Sequence, residues 1–77
     1  MHKFQAELER LTDSTWKVSW LLPQPQDDVM GSKLSPAGLD DNAAKTWAKS
    51  VLIGEGFLEQ FGWSLDEKGN FVMGMTV

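Results

Sequence analysis

The chain has 77 residues, with 7 basic and 11 acidic side chains, no cysteine and four tryptophans. A chain this short forms one domain and buries roughly 60% of the surface that its unfolded form exposes, so its core is small. The lack of cysteine excludes disulfide bridges, a thiolate zinc site and a cysteine nucleophile. The formal charge of −4 disfavours binding to nucleic-acid phosphates, which depends on lysine and arginine displacing counterions.

The N-terminal segment does not have the pattern of a signal peptide, because Glu7 and Glu9 stand where an apolar run is required. No uninterrupted apolar run is long enough to cross a bilayer. Together with the absence of cysteine, these features lead us to expect a cytoplasmic protein with no membrane contact.

The first two elements are predicted to form a hairpin. Residues 16–22 alternate apolar and polar side chains and are rich in β-branched and aromatic types, which indicates a strand. Residues 3–11 are ambiguous, because Phe4, Ala6 and Leu8 alternate as in a strand while local residue preferences favour a helix. A strand at 16–22 needs a neighbour, and residues 12–15 are turn-forming. We therefore predict a strand at 3–11.

Residues 23–38 are predicted to form a long loop. The segment contains three prolines and two glycines between polar residues, which is typical of irregular structure. A loop of that length in a compact domain is functional or mobile. Its apolar side chains Val29, Met30 and Leu34 either fix it to the body of the domain or contact a partner.

A helix is predicted with Asp40 or Asp41 as its N-cap, and it is expected to run to about Ile53, before Gly54. Its apolar positions repeat at helical spacing and are Ala44, Trp47, Ala48, Val51 and Leu52. We expect Trp47 to be buried between this helix and the sheet.

A second hairpin is predicted near the C-terminus. Phe57, Phe61, Trp63 and Leu65 are expected to share one face, a turn follows at 66–70, and Phe71, Met73, Met75 and Val77 alternate again. The fold class is therefore α+β: a single domain over 1–77 with a small antiparallel sheet of three to four strands and one amphipathic helix packed on one face, in the order β-β-loop-α-β-β.

The sequence offers little catalytic chemistry. The one histidine, His2, is next to the N-terminus, and the acidic pairs have the positions of helix caps and turns. Gly54 and Gly56 follow a helix, so they do not form a phosphate-binding loop. We predict no catalytic, cofactor-binding or metal-binding residue and no enzymatic activity.

Binding to another protein is the function that we expect. One helix cannot cover both faces of a sheet, so apolar residues should remain exposed as an interaction surface. The protein would act as an inhibitor, regulator or assembly factor, a type common among small proteins of phages and mobile elements. The alternative is single-stranded nucleic-acid binding by tryptophan stacking, which the scattered lysines disfavour, and an edge strand could also pair into a homodimer. The candidate partner-binding residues are Leu21, Val29, Met30, Leu34, Trp63, Phe71 and Val72.

Overall fold

The computed structural model describes residues 3–12, 14–22 and 29–76. Its elements in chain order are β1 (Lys3–Arg10), β2 (Trp16–Leu21), β3 (Val29–Leu34), α1 (Asp41–Gly54), β4 (Glu59–Gln60), β5 (Ser64–Leu65) and β6 (Phe71–Thr76). The strands form one antiparallel sheet in the order β3-β2-β1-β6-β4, and β5 also pairs with β6. The α+β class with one helix is confirmed, but the sheet has six strands instead of three or four. Within the described residues, no helix has the length and apolar character needed to span a membrane.

The ambiguous first segment is a strand, as predicted. β1 pairs with β2 on one side and with β6 on the other, and both Ala6 and Leu8 are fully buried. Local preference for a helix is overridden because a central strand gains partners on both sides and a buried face. The turn before β2 is closed by the Leu11 amide, which donates to the Thr15 carbonyl at 2.8 Å.

The predicted loop at 23–38 is wrong for its second half. Residues 29–34 form β3, which pairs with β2, while residues 23–28 lie outside the described part of the chain. Gly31, which favoured a loop in the sequence, is required by packing: an ideal Cβ on it would lie 2.4 Å from Cζ2 of Trp20. The missing side chain leaves room for the indole to lie against the β3 backbone.

We expect Gly31→Ala to destabilise the protein by about 1–3 kcal/mol, because the new methyl group must displace the Trp20 ring. Urea unfolding would measure this loss. Gly54→Ala is the matched control, since a Cβ there meets no atom within 4 Å. Similar losses for both variants, or an undiminished Gly31→Ala loss in a Trp20→Leu background, would contradict the contact.

The helix begins as predicted and ends one residue later, at Gly54. The Asp40 carboxylate accepts a hydrogen bond from the Ala43 amide at 2.8 Å, which is an N-cap. The expectation that Trp47 is buried is wrong: it is half-buried at the margin of the core, and the buried residues of α1 are Ala44, Ala48 and Leu52. The small alanines allow the helix to approach the sheet closely, which leaves the larger indole on the flank.

The core lies between α1 and one face of the sheet. Its buried apolar residues are Ala6, Leu8, Trp16, Val18, Ala44, Ala48, Leu52, Phe57, Met73 and Met75. Trp16 also binds the segment between β3 and α1. Its Nε1 donates a hydrogen bond to the Leu39 carbonyl at 3.0 Å, and its backbone amide donates to Ser35 Oγ at 2.8 Å. This connection fixes β3 at the margin of the sheet.

The C-terminal segment differs from the predicted hairpin before the turn and agrees with it afterwards. Phe57 is buried, but Phe61 and Leu65 are 55% and 65% exposed, so the four aromatic and leucine positions do not share one face. Two very short strands, β4 and β5, replace one long strand. The predicted turn is present, with Asp66 Oδ1 accepting from the Lys68 and Asn70 amides, and Val77 lies outside the described residues.

Candidate functional site

The two outer edges of the sheet differ in length. β3 forms one edge with six residues, whereas β4 and β5 at the other side have two residues each. An outer strand carries amide and carbonyl groups with no partner on its free side, and these groups can pair with another strand. β3 is therefore the longer of the two edges along which a further strand can pair.

Hydrogen bonding to β2 fixes the direction of the β3 peptide groups. The Ser35 amide donates to the Trp16 carbonyl at 2.8 Å, so Trp16 and Ser35 are a hydrogen-bonded pair. Hydrogen-bonded and non-hydrogen-bonded pairs alternate along antiparallel strands. In the register Lys17↔Leu34 and Ser19↔Ser32, the amides and carbonyls of Ser32 and Leu34 consequently point away from β2.

A β-bulge limits this regular edge at its N-terminal end. Trp20 is opposite Gly31, but Leu21 is opposite Val29, so Met30 is an extra residue in β3. The regular part of the edge extends from Gly31 to Leu34. A bulge interrupts the ladder and bends the strand locally, which restricts the length over which a second strand can pair.

Apolar side chains accompany the exposed backbone. Val29, Met30 and Leu34 are 64%, 56% and 65% exposed. Leu21 is half-buried on the neighbouring strand, opposite Val29. The structure thus brings together four of the residues proposed from the sequence; we call Leu21 together with Val29–Leu34 the β3 edge.

The remaining three candidates lie elsewhere. Val72 lines a groove of about 540 Å³ on the face of the sheet away from the helix, between β1 and Phe61. Trp63 is half-buried against the core, and its Nε1 is buried without a hydrogen-bond partner among the described residues. Phe71 does not lie on the open face as expected: its register places it beside Leu8 on the helix side, where its ring stacks on Trp16 at 6.1 Å.

The open face of the sheet, opposite α1, is more polar than expected. β1 and β2 present polar side chains there, namely Gln5, Glu7, Glu9, Lys17 and Ser19. One face is apolar and packs on the helix, while the other is polar and faces solvent, as is common in antiparallel sheets. The broad apolar patch predicted for this face is therefore absent from its two central strands, and large exposed apolar side chains lie at its two sides, along β3 and at Phe61 and Leu65.

Two residues of the β3 edge region were not proposed from the sequence as site residues. The indole of Trp20 lies across Gly31 at the margin of the sheet. Lys33, opposite Val18, is exposed on the same side of β3 as Gly31. That Gly31 and Lys33 lie on one side of the chain follows from the sequence only when residues 29–34 are known to form a strand.

The tryptophans do not form a stacking platform on the open face. Trp16 is buried, and Trp20, Trp47 and Trp63 all pack against the core. The arrangement gives no support to base stacking, which needs exposed aromatic rings along a positively charged groove. No group of three or more histidine, aspartate or glutamate side chains within 3–12, 14–22 and 29–76 is placed to hold a metal ion. Comparisons of the chain with known protein families, with curated proteins and with solved structures found no match.

Proposed function

We propose that this protein is a non-enzymatic binding module that accepts an extended segment of another protein as an added strand along β3. In this role it would act as an inhibitor, regulator or assembly factor. The observation that carries the proposal is the outer strand Val29–Leu34, whose Ser32 and Leu34 peptide groups point outward beside exposed apolar side chains. In strand addition, main-chain hydrogen bonds supply affinity and the alternating side chains supply specificity.

Apolar contact would supplement those hydrogen bonds. More than half of the surface of Val29, Met30 and Leu34 is exposed. Covering the exposed part of one such side chain gains on the order of 1 kcal/mol. Three of them along one strand favour an apolar partner segment over a purely polar one.

The β3 edge also carries features that favour a selective partner. Lys33 places a charge on the strand, and the bulge at Met30 interrupts the ladder. Both features discourage indiscriminate pairing between sheet edges. A partner must therefore match a short regular stretch of backbone and the side chains that flank it.

Selection of a displayed random-peptide library against the immobilised protein tests this function. We expect the recovered peptides to be extended and apolar, and Leu34→Ser to weaken their binding by about ten-fold, which corresponds to about 1.4 kcal/mol. Leu65→Ser is the matched control, because Leu34 and Leu65 are both 65% exposed and lie at opposite sides of the sheet.

Two results would contradict the proposal. Equal loss of binding in Leu34→Ser and Leu65→Ser would show that β3 is not the site. Recovery of no peptide, together with tight binding of a single-stranded oligonucleotide that weakens steeply as salt is raised, would favour the nucleic-acid alternative.

A further inference from the structure

The helix side of the β3 edge carries two neighbouring hydrogen-bond donors. Gly31 and Lys33 are two residues apart on one side of the strand, a separation of roughly 6.5–7 Å. The Trp20 indole occupies the place of the missing Gly31 side chain, with Nε1 only 2.8 Å from where a Cβ would lie. An indole N–H and a lysine side chain therefore flank the same short stretch of outer backbone.

The Trp20 indole carries a hydrogen-bond donor, Nε1, beside the β3 backbone. Among residues 3–12, 14–22 and 29–76 this Nε1 has no hydrogen-bond acceptor, and the Trp20 side chain is half-buried against the core. Trp16 differs, because its Nε1 donates to the Leu39 carbonyl. An indole N–H and a lysine ammonium can only donate, so one acceptor on an incoming strand can receive hydrogen bonds from both.

The charge of β3 points to the same kind of ligand. Lys33 is the one charged residue of Val29–Leu34, and it is exposed. An anionic acceptor in this position would receive hydrogen bonds from an aromatic N–H and a cation, and hydrogen bonds with an ionised partner are the stronger kind. A carboxylate on an incoming strand fits this requirement.

The other side of the β3 edge specifies the neighbours of that carboxylate. Side chains on successive residues of an added strand alternate between the two faces of the sheet. If an acidic residue lies opposite Lys33 on the helix side, the residues before and after it lie on the open side, opposite Leu34 and Ser32. The position opposite Leu34, which is 65% exposed, favours an apolar residue.

From these placements we propose that the β3 edge recognises a partner segment with an acidic residue next to an apolar residue, the carboxylate accepting hydrogen bonds from Trp20 Nε1 and Lys33 Nζ. This inference rests on the proposed function and names the chemistry of its partner. A second copy of the chain is a poorer occupant, because its own β3 would bring another lysine and no carboxylate to the contact. Like charges across paired strands are destabilising.

Two synthetic peptides of identical length test the proposal: acetyl-Thr-Val-Glu-Val-Thr-amide and the same peptide with Gln in place of Glu. Fluorescence anisotropy of labelled peptides at low salt gives both dissociation constants. We expect the Glu peptide to bind about ten-fold tighter than the Gln peptide, because only the carboxylate carries a charge opposite to that of Lys33 and hydrogen bonds to an ionised acceptor are stronger. The ratio of the two constants is the readout, since it cancels general losses of affinity.

Variants of the two donors locate the effect. Lys33→Met should reduce the ratio to near unity, and Trp20→Phe, which keeps an aromatic ring but removes the N–H, should reduce it several-fold. Lys68→Met is the control, because Lys68 is exposed in the 66–70 turn away from β3, and the ratio should not change. Urea unfolding of each variant confirms that it is folded.

Several outcomes overturn the proposal. A ratio that survives in Lys33→Met means that the carboxylate lies elsewhere, and the absence of binding by either peptide rejects the motif. Self-association that competes with the peptides would identify a second copy as the occupant. Equal binding of both peptides, lost from both on Ser32→Pro, would reject the acidic residue and leave strand addition at β3 standing as the function.

Discussion

Replacement of Leu8 by alanine should lower the free energy of unfolding by about 2–5 kcal/mol. Leu8 is fully buried in the central strand β1, with Val18 opposite it on β2 and Phe71 opposite it on β6. Truncation removes apolar contacts on both sides and leaves a cavity that neighbouring strands cannot close. Small domains have total stabilities of roughly 5–10 kcal/mol, so this loss removes a large part of the total and should lower the urea midpoint of unfolding clearly.

Leu11→Ala is the control variant, because its stability distinguishes a strand from a helix at residues 3–11. Leu11 is 37% exposed beyond the end of β1, so its truncation should cost less than about 1 kcal/mol. In a helix over residues 3–11, Leu8 and Leu11 would share one face and both truncations would be costly. Urea denaturation followed by tryptophan fluorescence measures both variants, and equal losses would contradict the strand.

The elements that the sequence predicts best are those with a strong local pattern. β2 and β6 alternate with a period of two, α1 has its apolar stripe and its Asp40 cap, and the turn at 66–70 has Gly69 with a φ of +84°. Each of these signals lies within a few consecutive residues. β1 required an argument about partners, because its local preferences favour a helix and only pairing decides between the two forms.

β3 could not be predicted because its cause is not local. Glycine is typical of loops, but Gly31 lies in a strand, where a side chain at this position would overlap the indole of Trp20. Trp20 is eleven positions earlier in the chain and lies on another strand. The partial exposure of Trp47 also could not be predicted from the local pattern of the helix. An apolar stripe identifies the side of a helix that faces the core, but the closest approach is decided by the small residues Ala44 and Ala48.

The candidate site was predictable only in its apolar members. Val29, Met30 and Leu34 are noticeable in the sequence because they are apolar among polar neighbours. The outward direction of the Ser32 peptide group, the placement of Lys33 and the position of the Trp20 indole beside Gly31 all depend on the register between β2 and β3. Phe71 was misplaced for the same reason, since its register with Leu8 sets its face.

The register between β2 and β3 predicts opposite effects for proline substitutions at two adjacent residues of β3. Ser32→Pro should leave the protein folded and abolish peptide binding at β3. The Ser32 amide points away from β2, so proline removes no hydrogen bond of the sheet, and outer strands tolerate proline where the amide faces solvent. The missing donor and the pyrrolidine ring would, however, block an incoming strand.

Lys33→Pro should have the opposite result. Lys33 faces Val18 in a hydrogen-bonded pair, so proline removes an amide that β2 uses and leaves a carbonyl without its donor. We expect a loss of about 1–3 kcal/mol in unfolding free energy. Urea unfolding and peptide anisotropy give an unfolding free energy and a dissociation constant for each variant. All four values must agree with the register between β2 and β3.

The two prolines separate the fold from the function because they differ by one position on the same exposed strand. If both variants lose stability equally, the peptide groups of β3 do not alternate as the register requires. If Ser32→Pro is folded and still binds peptides as tightly as the unchanged protein, strand addition at β3 is wrong even though the strand itself is present. Only a folded Ser32→Pro variant without binding, beside a destabilised Lys33→Pro variant, is consistent with an edge whose free amides are the recognition element.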